Sequence, residues 1–422
     1  MAEPIRVLHI GDVHLGVELY GRPLPEKGYG TRTADFLGAL DRALALAEEA
    51  DLILFPGDIY KNCDPNPTIQ REFASRIRKV ARRVPVAIIP GNHDIPNAFA
   101  RASSIDIFHV LELEGVYVMR RPEVVPIPTA RGEVLVAGLP FMPRSRLVAT
   151  DDAKGKTIPE VVGMMREKLI EQIGVLAEDV EAERVRRGAA TPAVLMAHYT
   201  IAGAEFGGYG RGAQLAPELD LPLGAVRNPV FDYVALAHIH QFQTIPKNDF
   251  DGQPPVIYPG SIERVDFGEE HEDKVAVLAE LARGKATWKT VPLNPRPFVT
   301  IRVEADEADP LGSVRAAIEE KQAQLQGAVV RVIYTLAPGH PNLPEREVRQ
   351  ALDGAAYVAG IRREVIRPEH RARHGGLTTQ LTPLEALEEY LRTQPRLEPL
   401  KPHLLERAKP LIEKVTGRRE GE

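Results

Sequence analysis

One cysteine in 422 residues, Cys63, excludes any disulfide within the chain, and a reducing cytoplasm is the default compartment for such a composition. No apolar run approaches the roughly 20 residues of a membrane span. MAEPIRVLHIGD enters strand-like sequence directly, so no signal segment is expected. The expectations are a cytoplasmic location and no membrane partner. Positive charge is also short: 53 Lys and Arg against 59 Asp and Glu give a net charge of −6. A protein that grips nucleic acid through its overall charge would be basic. Any such contact must therefore come from local patches and from cations that offset the carboxylates around them. What the chain does have is length and an interior, since 422 residues at 44% hydrophobic content predict two or three domains.

It also has seven metal-type donors spread over five segments, each at the end of an apolar run. They are Asp12 and His14 in GDVH, Asp58 in PGDIY, Asn92 in PGNHD, His198 in AHY, and His238 with His240 in AHIH. IRVLHI, DLILF, VAIIP and AVLMA precede the first four, and YVALAHIH carries its own donors at its close. Open α/β sheets place ligands just beyond the carboxyl ends of their strands, so five such loops can meet in one crevice. Hard oxygen donors mixed with imidazoles suit Mn, Fe or Zn, and a carboxylate able to bridge suits a pair of ions. Two ions a few ångströms apart are the apparatus of phosphoester hydrolysis.

Each segment alone has a plainer reading. GD at a strand end is common turn chemistry, PGNHD can be an ordinary turn, and H-x-H can be alternate side chains of a strand. Joint occurrence at comparable strand-end positions favours a metal site. By contrast His9, inside IRVLHI, and His109, inside DIFHV, read as satisfied core histidines. Cys63 lies in turn-like sequence with no sign of reactivity.

D-x-H, G-D, G-N-H-D, a lone H and H-x-H together resemble the calcineurin-like metallophosphoesterase superfamily. HLGVELYGR, GDIYKNCDPNP and YPGS followed by IERVDFGEE (Tyr258 to Glu270) narrow the resemblance to the nuclease-subunit family of the bacterial SbcCD complex (SbcD). It is tight over about the first 270 residues and looser beyond. Ala237 is a departure, standing where that family more often has glycine before H-x-H.

The resemblance implies an α/β fold: a two-layered β-sandwich core flanked by helices, a small α+β capping domain and a C-terminal helical tail. The expected boundaries are 1–295 for the nuclease body, 296–375 for the cap and 376–422 for a segment that binds an ATPase partner. It further implies that Asp12, His14, Asp58 and His240 hold one ion. Asp58, Asn92, His198 and His238 would hold the other, with Asp58 shared. The expected cofactor is two Mn²⁺, with Mg²⁺, Fe²⁺, Co²⁺ or Zn²⁺ possible in their place. His93 is expected to assist the leaving oxygen or transition state, with Asp94 orienting it. Tyr258 and Ser261 are expected near substrate. The implied partners are DNA and an SMC-like ATPase of the SbcC type, in a heterotetramer containing a homodimer of this chain.

Periodicity fills in the organisation. Ala34 to Ala50 places Phe36, Leu37, Leu40, Leu44 and Ala47 on one helical face, and Arg71 to Arg83 repeats the pattern. Val134 to Phe141 reads as a strand. Thr157 to Arg186 reads as a long helix whose Leu169, Ile173, Leu176 and Val180 form a core stripe. Tyr199 to Asn228 is a Gly- and Pro-rich loop directly after His198, and its Tyr209 and Arg211 are candidates for substrate contact. From Phe298 the pattern is strand, helix (Leu311 to Gln326), strand (AVVRVIYTL) and helix (Glu345 to Gly354). Arg362, Arg363, Arg367, Arg371 and Arg373 follow, either as a solvated face or as phosphate contacts, and Gly375-Gly376 mark a boundary. Thr382-Pro383-Leu384-Glu385 is a capping box with proline at the first helical position. Leu384, Leu387 and Leu391 make a stripe that, with Leu404 on a second helix, would face the partner. Pro410 should kink or interrupt that second helix.

Three functions stay open: a DNA exonuclease and endonuclease subunit, a phosphatase or small-molecule phosphodiesterase on the same scaffold, and an architectural DNA tether. GNHD where the superfamily's protein phosphatases read GNHE, together with a cap and tail that a small-molecule enzyme would not need, disfavours the second. The complete donor set disfavours the third.

Overall fold

The computed structural model describes residues 3–96, 101–145, 154–208, 219–247, 252–337, 339–365, 382–392, 397 and 400–416. The chain forms two compact units, one of Met1–Tyr334 with Asn342–Arg363 and one of Thr335–Pro341 with Glu364–Glu422.

The first unit is built on two six-stranded sheets. One runs, edge to edge, Lys285–Pro292, Val275–Ala282, Ile5–His9, Leu52–Phe55, Val86–Ile88, Val116–Val118. The other runs Gln243–Ile245, Val256–Tyr258, Tyr233–Ala237, Ala193–His198, Gly132–Leu139, Glu123–Thr129. Within each sheet the central strands are parallel; antiparallel strands close both edges of the second sheet and one edge of the first, whose other edge, Val116–Val118, is parallel. Parallel strands buried on both faces read as unbroken apolar runs, which is why LILF and AVLMAH show no polar alternation.

The alternating side chains serve different cores. Val7, Leu52, Leu54, Val194, Met196 and Ala235 fill the space between the sheets. Leu8, Ile53 and Phe55 turn outward beneath Phe36, Leu40, Phe73 and Ile77 of the helices Thr31–Ala45 and Pro67–Ala81. Leu195 and Leu236 do the same beneath Leu169, Ile173, Leu176 and Val180 of the helix Ile158–Arg187. The result is an α/β sandwich flanked by helices. Truncating a buried Leu or Met in any of these layers should cost about 2–5 kcal/mol.

Helix signals mark their starts well. Asn66 caps Pro67–Ala81 by accepting from Thr68 N at 2.8 Å, with proline at the first turn, so this helix begins four residues before Arg71. Glu160 takes the Thr157 amide and hydroxyl at 2.7 Å each, opening the long helix. The first helix ends at Ala45 and continues as a 3₁₀ turn, Leu46–Glu49.

After Pro297 comes a three-stranded sheet, Phe298–Glu304, Val329–Leu336 and Tyr357–Val365. The helices Pro310–Glu320 and Glu345–Ala351 accompany it. The third strand had no counterpart in the sequence reading. Arg362, exposed, and Arg363, half-buried, lie on it, while Arg367, Arg371, Arg373, Gly375 and Gly376 lie outside the described residues.

In the second unit, helices Pro383–Arg392 and Lys401–Thr416 pack together. Thr382 and Glu385 form the expected capping box. The second helix continues through Pro410 without a break. Leu391 is 3% exposed, so it is already covered and not on display, and Leu384, Leu387 and Leu404 are half-buried. No helix among the described residues is long and apolar enough to cross a membrane.

Candidate metal centre

Five strand ends from the two sheets open onto one crevice, and the loops beyond them bring all seven expected donors together. Asp12 and Asp58 are buried, as are His14, His198 and His240; Asn92 and His238 are half-buried. Donor atoms of three groups, Asp12–His14–His240, His14–Asp58–His93 and Asp12–Asp58–His198, lie within 4.8 Å of one another. Asp58 Oδ2 sits between the halves, 3.7 Å from His14 Nε2 and 3.3 Å from His198 Nε2. On one side Asn92 Oδ1 lies 3.0 Å from His198 Nε2 and 2.9 Å from His238 Nδ1. On the other, the Nε2 atoms of His14 and His240 are 2.9 Å apart. Asp12 accepts the His238 amide with both oxygens, which ties the first loop to the last.

The backbone is strained where it presents these side chains. His14, Asp58 and His238 adopt positive φ of 46°, 51° and 95°, at a cost of about 1–3 kcal/mol each for residues with a Cβ. Approach is equally tight: a Cβ on Gly91 would come within 2.2 Å of Asp58 Oδ1, so the GN turn admits no side chain there.

The second nitrogens of the histidines show that this donor set fits divalent cations. His198 Nδ1 lies 2.8 Å from the Pro56 carbonyl and His240 Nδ1 lies 2.6 Å from Glu269 Oε1. A carbonyl or carboxylate only accepts, so each Nδ1 carries a proton, and each ring in its neutral form turns its Nε2 lone pair to the centre, the usual arrangement behind metal-ligating histidines. Imidazoles, two carboxylates and an amide oxygen make a mixed N/O set suited to Mn, Fe or Zn.

Electrostatics follow the same division. Burial pulls His198 down, but the Asp58 carboxylate outweighs it and holds the imidazole up at about 9. Burial and the neighbouring His240 hold His14 well below the ordinary histidine range. Burial pushes Asp58 up, yet His198 and His14 pull its carboxyl far below the usual range. Asp94 goes the other way, raised to about 6 by burial and by Asp58.

His93 stands at the mouth, 37% exposed, with Nε2 4.0 Å from Asp58 Oδ2. Its Nδ1 donates to the Lys61 carbonyl at 2.8 Å, and its amide donates to Asp58 Oδ1 at 2.8 Å. Asp94 therefore does not orient His93. Fully buried, it accepts from the amides of Ile59, Tyr60 and Gly91 at 3.0 to 3.2 Å and fastens the Asp58 loop to the Asn92 loop.

Two further expectations need correction. Tyr258 is fully buried, donating to the Tyr199 carbonyl at 2.7 Å and accepting from the Ile201 amide at 3.0 Å. Ser261 is equally buried and donates to the Glu263 carbonyl at 3.0 Å. Both support the loops from behind and neither reaches the crevice. Tyr209 and Arg211 lie outside the described residues. His109 is exposed on the short helix Asp106–Val110, not in a core. His9 is a core histidine as expected, accepting from Tyr233 Oη at 3.0 Å and donating to the Leu236 carbonyl at 3.1 Å. Sequence reasoning missed Glu269, the carboxylate behind His240. FGEE held the signal, but nothing in its spacing pointed to a histidine 29 residues away.

Residues 5–242, more than half of the chain, match the calcineurin-like phosphoesterase family. The chain belongs to that family. It is also similar to named nuclease subunits and to a named DNA-repair protein. It is 28% identical over 392 residues to the SbcD subunit of the SbcCD nuclease of Rhodobacter capsulatus, covering 86% of this chain and 88% of that protein. The same subunit of Bacillus subtilis is 28% identical over 302 residues, covering 69% and 70%. The DNA double-strand break repair protein Mre11 of Haloferax volcanii is 28% identical over 359 residues, covering 84% and 67%.

Proposed function

We propose that this chain is a metal-dependent DNA exonuclease and endonuclease subunit that hydrolyses phosphodiesters with two divalent ions, Mn²⁺ by preference, and works with an SMC-like ATPase on DNA ends and hairpins. The observation that carries the two-ion reading is Asp58 Oδ2, set between imidazoles of the two halves of the centre. Similarity to the SbcD subunits of SbcCD nucleases supports the choice of DNA and of the ATPase partner.

Asp12, His14, Asp58 and His240 would hold one ion, and Asp58, Asn92, His198 and His238 the other. Bound there, divalent ions supply Lewis-acid polarisation of a phosphoryl oxygen and a water acidified towards neutrality. The protein's own part is positional. The Pro56 carbonyl and Glu269 fix the tautomers of His198 and His240, and Asp94 holds two loops in register. His93, its Nδ1 proton engaged by Lys61, keeps Nε2 free to carry a proton to the departing oxygen. We take 1–295 as the nuclease body, 296–375 as the cap and 376–422 as the ATPase-binding segment, in a heterotetramer with a homodimer of this chain. Truncation after Gly376 should then leave Mn²⁺-dependent cleavage of single-stranded DNA while abolishing ATP-dependent processing of duplex ends.

The test is the purified chain on hairpin and blunt DNA, with and without the ATPase, Mn²⁺ and ATP. Mn²⁺-dependent cleavage, extended by ATPase and ATP to duplex ends, is expected. Hydrolysis of small phosphomonoesters with no cleavage of any DNA would instead make the chain a phosphatase on the same scaffold.

A further inference from the structure

His240 is gripped at both its backbone and its ring. Its carbonyl accepts from Ser261 N and from Lys274 Nζ, both at 3.0 Å, and its ring donates to Glu269 Oε1 at 2.6 Å. Glu269 is itself fixed on its other oxygen, by Lys274 Nζ at 2.9 Å and by the Val265 amide at 2.9 Å. Lys274 and Glu269 are both essentially unexposed. A buried lysine and carboxylate are costly to desolvate and seldom improve stability over an apolar pair, so this pair calls for a role beyond packing.

The element that carries Glu269 supplies one. It is the three-residue 3₁₀ turn Phe267–Glu269, and its other side faces the small sheet after Pro297. Phe267 meets Phe298 edge to face at 4.9 Å and Tyr20 at 5.3 Å, with the Arg331 guanidinium 4.2 Å over its ring. The next residue, Glu270, takes the amide of Thr300 at 2.6 Å and also its hydroxyl. Thr300 and Phe298 lie on Phe298–Glu304, and Arg331 on Val329–Leu336. One short turn therefore touches a donor of the centre with one residue and two strands of the small sheet with the residues on either side of it.

We propose that Glu269 is a positioning residue for His240, and that the Phe267–Glu270 turn makes the ion-holding geometry of His240 depend on the seating of the small sheet. The inference rests on the two-ion reading above. A shift of Phe298–Glu304 moves Phe267 and Glu270 together, and Glu269 between them carries its carboxylate away from His240 Nδ1. On the other side the acceptor that orients His198 is the Pro56 carbonyl, inside the nuclease body.

The experiment uses the full chain, with Mn²⁺ binding followed by calorimetry and by the Mn²⁺ electron paramagnetic resonance spectrum. Glu269→Gln should weaken one ion by about 10–100-fold, the usual consequence of losing an outer carboxylate, and leave the other at wild-type affinity. Phe267→Ala and Thr300→Val should weaken that same ion, and their effects should not add to that of Glu269→Gln, as for groups acting through one contact. Should Glu269→Gln fail to fold, Thr300→Val carries the test, because it leaves every buried charge in place. Both ions at wild-type affinity in Glu269→Gln overturn the positioning role. Equal weakening of both ions overturns it too, since general loosening would do that. No effect of Phe267→Ala or Thr300→Val on either ion overturns the link to the sheet. A wild-type chain that binds no Mn²⁺ tightly would overturn the two-ion reading itself.

Discussion

The two halves of the metal centre are built differently. Behind His198 the orienting partner is neutral backbone, the Pro56 carbonyl. Behind His240 it is a buried ion pair, Glu269 with Lys274. Asp58 reaches both. A carbonyl in a loop between buried strands can hardly move without the sheet, whereas a carboxylate on a short turn can be displaced. The difference teaches that histidines arranged about one shared carboxylate can be held from behind in unlike ways, one by fixed backbone and one by a side chain on a short turn.

Removing what the halves share should have the largest effect. Asp58→Ala should lose more than one equivalent of tight Mn²⁺ and reduce nuclease activity to background. Calorimetry at saturating Mn²⁺ checks the first part, and a single equivalent in the wild type would sink the shared-ligand reading. Next come the halves separately: His240→Ala should weaken one ion and Asn92→Ala the other, each by more than the roughly 10–100-fold of an outer-shell change. If either substitution releases both ions together, the halves are not independent and the comparison fails. His93→Ala should keep both ions and DNA affinity while slowing cleavage by roughly 10²–10⁴-fold, the ordinary worth of proton-transfer help. Mn²⁺ lost along with rate would place His93 among the ligands.

The smallest effect is on stability and tests the seam between the sheets, where His9 spans from one to the other. Burial lowers its pKa from 6.5 to about 3. Between those values the unfolded chain holds a proton that the folded chain refuses. The stabilisation is therefore complete above pH 6.5 and is lost as pH falls towards 3, at about 1.4 kcal/mol per pH unit from this one group. Urea unfolding of the metal-free chain at pH 7, 6 and 5 should show a gentler slope in His9→Gln than in the wild type. Identical slopes would mean that His9 is not the acid-sensitive group.

Much of this was legible because strand ends and ligands coincide in the sequence. Apolar runs closed by D-x-H, GD, GNHD, AHY and H-x-H locate five loops, and the fold needs only to bring five carboxyl ends to one edge. Legibility failed where neighbours in sequence part in space. Asp94 follows His93 directly, yet its carboxylate turns inward to three amides while the histidine ring turns to the crevice. Tyr258 ends the strand Val256–Tyr258 on the side that faces the core, a parity that YPGS alone does not reveal. The strand Tyr357–Val365 was hidden by its charges, since REV and its arginines look like solvated chain until Val329–Leu336 is there to pair with it. Glu269 was invisible for a related reason: its meaning is a contact made across a fold.

The strand Ile5–His9 lies in the middle of its sheet, and its two neighbours come from distant parts of the chain. Leu52–Phe55 flanks it on one side, while on the other Ile5 pairs with Leu281 and His9 with Val277. During synthesis Ile5–His9 can dock on Leu52–Phe55 early, but its other edge stays open until Val275–Ala282 has left the ribosome. An apolar strand with an unpaired edge invites pairing with other chains. The parallel neighbour can thus form from the first 55 residues, while the antiparallel one closes the sheet only about 220 residues later. His240 and its clamp at Lys274 emerge late in that interval, so the half of the centre they form is the last to be completed.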